Sequence, residues 1–135
     1  MNSKTKLVKN IVTDVFQSFG SCESYDWDKA YVEAIGVGLR LAGIKYEKEK
    51  VVEIQYKGHY VGKTKVDFLA HFGQEKVVIQ TDRFYSQLKN PAYKDEETKR
   101  CMKELGAEKG LLVLHGRSFE SRKNKPKLVI RELSH

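Results

Sequence analysis

VVEIQYKGHYVGKTKVDFLAHFGQEKVVIQ, residues 51–80, decides how the fold is read. Apolar and polar residues alternate on both sides of Gly58-His59, where a turn is expected, so residues 51–72 read as a β-hairpin. Gly73-Gln74 marks a second turn before KVVIQ (76–80), and the three runs form an antiparallel meander. After Ile79 the chain turns polar without a turn signal: Gln80, Thr81, Asp82, Arg83. Either the chain is leaving the core there, or a site is being built at the strand's end.

Upstream lie two helical patterns. In KLVKNIVTDVFQSF (6–19), Leu7, Ile11, Val15 and Phe19 recur every four residues with Val8, Val12 and Phe16 beside them, one apolar stripe. Gly20 is a natural stop, and Ser21 to Asp26 reads as a loop. Ser24 or Asp26 is placed to cap a second helix, about Trp27 to Ala42, with Tyr31, Ile35 and Leu39 inward. Gly36 and Gly38 each weaken that helix by about 1 kcal/mol and point to close approach by another element. Downstream, Asn90-Pro91 marks a loop and Asp95 to Leu105 a polar helix with Cys101, Met102 and Leu105 inward. GLLVLHG (110–116), continuously apolar, fits a strand covered on both faces, and KLVIREL (127–133), alternating, fits a strand near an edge. The order is ααβββαββ. One α/β domain over residues 1–135, with a mixed sheet flanked by helices and with 1–5 and 134–135 frayed, is the economical architecture.

At 135 residues the chain suffices for one core and not two. Its longest apolar runs fall far short of the ~18 residues of a membrane span. MNSKTKLVKNIV, at the start, lacks the continuous apolar stretch of a secretory signal. Only two cysteines occur, Cys22 and Cys101, with no metal-ligand spacing, which fits a reducing interior and argues against structural zinc. An intracellular location is expected: cytoplasm, nucleoid, or a virus particle or other assembly. The net charge of +7 is concentrated. Lys57, Lys63 and Lys65 fall in a stretch with no acid. Arg117, Arg122, Lys123, Lys125, Lys127 and Arg131 fall in another that holds one glutamate. Such surpluses favour polyanions through counterion release, or form a merely solvated surface.

Several residues are candidates for chemistry. Asp67 lies between Val66 and Phe68, so alternation places it on the solvent face by default. Gln80 and Asp82, two apart, share a face of the next strand. If the two strands are antiparallel neighbours, Asp67 and this pair converge, and their oxygens suit a hard divalent cation able to polarise a phosphate and activate water. Arg83 points to the other face. His59 and His71 have no partner at a ligand spacing. His115 reads as strand-end packing and Cys101 as a buried apolar residue. Tyr25, Trp27 and Tyr31 read as core rather than as base-stacking platforms, and packing is also the simpler role for Phe84 and Tyr85.

EAIGVGLRLAGIKYEKEKVVEIQYKGHYVGKTKVDFLAHFGQEKVVIQTD, followed by CMKELGAEKGLLVLHG, resembles the GxxExxY proteins of the PD-(D/E)XK nuclease superfamily. KLVKNIVTDVFQSFG resembles that family's opening helix, so the likeness runs over about residues 6–118. The resemblance implies a restriction-endonuclease-like domain. It also implies a Mg²⁺ site made by a helix glutamate and two strand positions, with a lysine assisting water's attack on phosphate. Asp67 matches the metal-binding aspartate. Gln80 stands where the family has the glutamate of its E-x-K, and Asp82 where it has the lysine. Tyr31 matches the motif's tyrosine, and Asp28 replaces its glutamate. Tyr25 takes the glycine position, unless Gly20 serves after a short insertion. Glu97 lies where the family often has a glutamine.

Glutamine at 80 keeps an oxygen ligand. Aspartate at 82 reverses the charge beside the scissile phosphate, where a stabilising group is worth about 3–4 kcal/mol in other enzymes. Three readings follow. In one, cleavage is lost and nucleic acid is bound through Lys57, Lys63, Lys65, Arg117, Arg122, Lys123, Lys125 and Lys127, with no cofactor. In another, Asp67 and Asp82, with Asp28 or Glu97, hold Mg²⁺ in a rearranged nuclease site, and Lys65 or Lys89 supplies the cation. In a third, the chain is a structural subunit of a homodimer or larger assembly. No membrane partner is expected.

Overall fold

Two helices open the chain, α1 (Ser3–Phe19) and α2 (Tyr25–Leu41). Three strands follow, β1 (Lys45–Tyr56), β2 (His59–Phe72) and β3 (Glu75–Arg83), then α3 (Tyr93–Leu105), β4 (Lys109–Arg117) and β5 (Pro126–Ser134). The structure, a computed structural model, describes residues 3–19, 25–83, 93–117 and 126–134. The expected order ααβββαββ is the order observed. The strands form one sheet in the sequence β1-β2-β3-β4-β5, antiparallel throughout except for the parallel pair β3–β4. A parallel pair needs a crossover, and α3 lies in it.

The sheet separates two cores. Val8, Val12 and Val15 of α1 and Tyr31, Ile35 and Leu39 of α2 pack on Phe68, Ala70, Val77, Ile79, Leu111 and Val113. On the opposite face Cys101 and Met102 of α3 pack on Val52, Val66, Leu69, Val78, Leu112, Leu114 and Leu133. The unbroken apolar run of β4 is thereby explained: Leu111 and Val113 serve one core, Leu112 and Leu114 the other. β4 is next to last in the sheet, and β5 is an edge.

Several local expectations shift. The expected fraying of residues 1–5 does not extend to Ser3–Thr5, which form the first turn of α1 with Thr5 fully buried, and Ser134 ends β5. The stripe of α1 centres on Val8, Val12 and Val15, while Leu7 stays 40% exposed. Trp27, expected in the core, is half out of it and packs against Phe19 with ring centroids 5.9 Å apart. The first hairpin turns at Lys57-Gly58, φ 50° and 80°, one residue before the expected position. Two consecutive positive φ values are what a two-residue hairpin turn requires. At the end of α2, Gly43 at φ 75° lets Ile44 N donate to Leu39 O at 3.0 Å, closing the helix and starting β1. Among the described residues no helix is long and apolar enough to cross a membrane.

Candidate functional site

The β2–β3 ladder runs from Phe72–Glu75 to Phe68–Ile79 and stops. β3 continues alone against β4, pairing Gln80 to Arg83 with Leu112 to His115. Side chains bridge the fork left between β2 and β3. Asp67 N donates to Gln80 Oε1 at 2.9 Å. In return Thr81 donates twice to Asp67 Oδ2, from N at 2.8 Å and from Oγ1 at 2.7 Å. Asp67 N and Thr81 N, beyond the end of the ladder, thus each donate to a side chain of the other strand.

Asp67 is not on a solvent face. Val66 and Phe68 are both buried, but in opposite cores. Residues two apart in a regular strand share a face, so the alternation of β2 slips by one at Asp67. Across the hairpin, Glu49 adopts φ 52° between the pairs Lys48–Phe68 and Lys50–Val66. Both strands of the hairpin thus change face together, and the half-buried Asp67 turns toward β3.

A second group lies at the carboxyl ends of β3 and β4. Arg83, on the face opposite Gln80 and Asp82 as expected, reaches α2 and donates from Nη1 to Asp28 Oδ2 at 2.7 Å. Asp82 Oδ1 accepts from Arg83 N at 2.8 Å. His115, the register partner of Arg83, is buried and stacks on Tyr31 with centroids 4.4 Å apart and planes 6° apart. Burial holds the imidazole at about pH 4, with the Arg83 charge adding to the depression and Asp82 opposing it. Burial also pushes the Tyr31 phenol up, and its hydroxyl has no hydrogen-bond partner among the described residues.

The carboxylates required for a Mg²⁺ site do not converge. Among the described residues no three His, Cys, Asp or Glu side chains come together. Asp67 Oδ2 faces two hydrogen-bond donors of Thr81, and Asp28 Oδ2 faces a guanidinium. A hard cation needs several oxygens turned toward one point, so these residues as arranged do not fit it. Glu97 instead lines a cleft of about 200 Å³ between α3 and the β1–β2 hairpin, and Gln80 and Lys65 line the same cleft. Lys65 Nζ, exposed, pairs with Glu49 at 3.3 Å. Thr81 was read only as part of the polar run and Arg83 only by its face; their bonds to Asp67 and Asp28 come from the structure. Their position beside Gln80 and Asp82 was the available signal.

Of the basic residues, Lys57, Lys63 and Lys65 are exposed on the hairpin and Lys127 near the start of β5, while Arg117 ends β4. Lys89, Arg122, Lys123 and Lys125 lie outside the described residues, as do Cys22, Phe84 and Tyr85.

A family model described as the PD-(D/E)XK nuclease superfamily matches residues 2–125. No curated protein matches the chain. A solved structure, that of SSO0001, is similar with a TM-score of 0.48 and 18% identity, over 95% of this chain. This chain spans 65% of that one.

Proposed function

The chain belongs to the PD-(D/E)XK nuclease superfamily, and we propose that it is a nucleic-acid-binding member that does not hydrolyse its ligand. Tyr31, at the motif's tyrosine with Asp28 in the glutamate position, supports placing it within that superfamily among the GxxExxY proteins. The observation that carries the proposal is the state of Asp67. One oxygen of its carboxylate, Oδ2, is already engaged by Thr81 N and Oγ1 at 2.8 and 2.7 Å. Asp82, where the family has a lysine, places an anion beside the phosphate that would react.

Binding is assigned to the basic surface: Lys57, Lys63 and Lys65 on the hairpin, and Arg117, Arg122, Lys123, Lys125 and Lys127 in the segment that links and begins the last strands. The net charge of +7 favours a polyanion over a neutral protein partner. Such contacts release counterions, so affinity falls steeply with salt and depends little on sequence.

The test is fluorescence anisotropy with DNA at about 50 and about 200 mM salt, beside plasmid incubation with Mg²⁺ or Mn²⁺. Micromolar or tighter binding at the lower salt, weakened at the higher, with plasmid intact, is expected. Absent binding at low salt removes the proposal and favours a structural subunit. Metal-dependent nicking abolished by Asp67→Ala establishes a rearranged nuclease.

A further inference from the structure

We propose that the cleft between α3 and the β1–β2 hairpin receives one unstacked nucleobase of a single strand, with Tyr56 stacking on its neighbour. This rests on the nucleic-acid reading above and names the form of the ligand.

The cleft's volume, about 200 Å³, is below the ~300–1,000 Å³ of pockets for drug-sized ligands. It has room for one ring system and none for a duplex. Val52, Ile54 and Val66 of the hairpin and Cys101 of α3 give it apolar walls. Gln80 lines it as well. The Gln80 amide oxygen is held by Asp67 N at 2.9 Å, which fixes the amide and leaves its nitrogen as a donor for an acceptor on a base edge. Lys65, Lys94 and Arg100 lie on the rim with Glu53, Glu97 and Glu104, three cations against three carboxylates. A rim so balanced does not select a phosphate. It suits a neutral heteroaromatic edge that both donates and accepts.

The same face of the hairpin continues outward. Val52, Ile54 and Tyr56 alternate along β1, about 7 Å apart; the ladder shifts register between Ile54 and Gln55, but the extra residue there, Val61, is on β2, so the alternation of β1 continues. Tyr56 is 63% exposed, and His59 is its register partner. The Lys57 ammonium lies 5.3 Å from the Tyr56 ring centroid. An exposed aromatic next to a lysine, one strand repeat beyond a base-sized cleft, is the arrangement that binds single strands without sequence preference. Phosphates then lie along Lys57 at the turn, while the base enters between the hairpin and α3.

The experiment compares a short fluorescein-labelled oligothymidylate with a blunt duplex of equal length, for the wild type, Tyr56→Ala and Thr64→Trp. Thr64 is an exposed residue of the cleft's lining, so tryptophan there fills it. Should that variant not fold, Tyr56→Ala, at a surface position, carries the test alone. The expected result is tighter binding of the single strand, reduced about 5- to 100-fold in each variant, the loss that one stacked base implies. Because the rim is charge-balanced, that ratio should stay the same between about 50 and about 200 mM salt while all affinities fall. Irradiation of a 5-iodouracil oligonucleotide should cross-link Tyr56. If single strand and duplex bind alike and both variants match the wild type, this inference is overturned and nucleic-acid binding by the basic surface stands. If neither ligand binds at low salt, both readings are overturned.

Discussion

Thr81 grips one oxygen of Asp67 from two atoms, its amide nitrogen and its hydroxyl, across the fork where β2 and β3 cease to pair. The Asp67 carboxylate is thereby part of the structure's own hydrogen-bonding. The half-buried hydroxyl contributes a bond to a charged acceptor, worth about 1.5–3 kcal/mol. Thr81→Val keeps the β-branch and removes only that bond, so it should lower unfolding free energy by about that amount. The midpoint in urea should fall with the slope unchanged. Thr64→Val, at an exposed position of the same sheet, should stay within about 0.5 kcal/mol. Equal effects at the two positions would show that the fork is not held by Thr81.

The simplest repair of the motif should fail. Gln80→Glu with Asp82→Lys restores the charges of an E-x-K, yet leaves Asp67 held by Thr81 and Asp28 held by Arg83. No Mg²⁺-dependent nicking of plasmid is expected from that double variant. Activity should require loosening the carboxylates as well, by Thr81→Val, which leaves only the backbone amide on Asp67, and Arg83→Gln in the same chain. Nicking by the double variant alone, lost on adding Asp67→Ala, would show that residues 80 and 82 were the obstacle and that Thr81 and Arg83 were not.

The element order was legible because each element carries its own period, and the inward residues Tyr31, Ile35 and Leu39 follow from helical spacing alone. The face of Asp67 was not legible. Alternation put it outward, but alternation presumes a regular strand, and the slip between Val66 and Phe68 accompanies a left-handed residue, Glu49, on the neighbouring strand. The stripe of α1 was only approximately legible, since its apolar residues cover more of the helix than the sheet and α2 can bury. Arg83 was read to the correct face, but its partner Asp28 lies 55 residues away, and only the fold brings the two together.

His115 makes stability depend on pH. Burial first, and the Arg83 charge second, hold the pKa of its imidazole at about 4 when folded, against an ordinary value of 6.5. Above pH 6.5 the ring is neutral in both states and nothing is lost. As pH falls from 6.5 toward 4 the unfolded chain takes up a proton that the folded one refuses, so stability declines. Below about 4 this contribution is constant. The full loss is roughly 3 kcal/mol. His115→Phe keeps a ring on Tyr31 and removes the proton. The difference in urea-derived stability between wild type and variant should therefore change between pH 6.5 and 4 and not between 8 and 7. A parallel pair of curves over the acid range would place the ring in a hydrated setting instead.

Gly38 brings α1 and α2 together, and its replacement should cost stability despite a better helix former. Alanine in place of glycine gains about 1 kcal/mol in a helix interior. A Cβ at Gly38, however, would lie 2.4 Å from Ile11 Cγ2, and that methyl sits on a β-branched carbon with little freedom to swing away. Overpacking of this kind costs about 1–3 kcal/mol, so Gly38→Ala should be destabilised by roughly 1 kcal/mol net. Ile11→Leu removes the branch that clashes. The double variant should recover most of the loss, and the coupling in a double-mutant cycle should be favourable. A Gly38→Ala protein more stable than the wild type would mean that α1 can shift along α2 without loss, and the packing of Val8, Val12 and Val15 on the sheet would then not be what fixes its position.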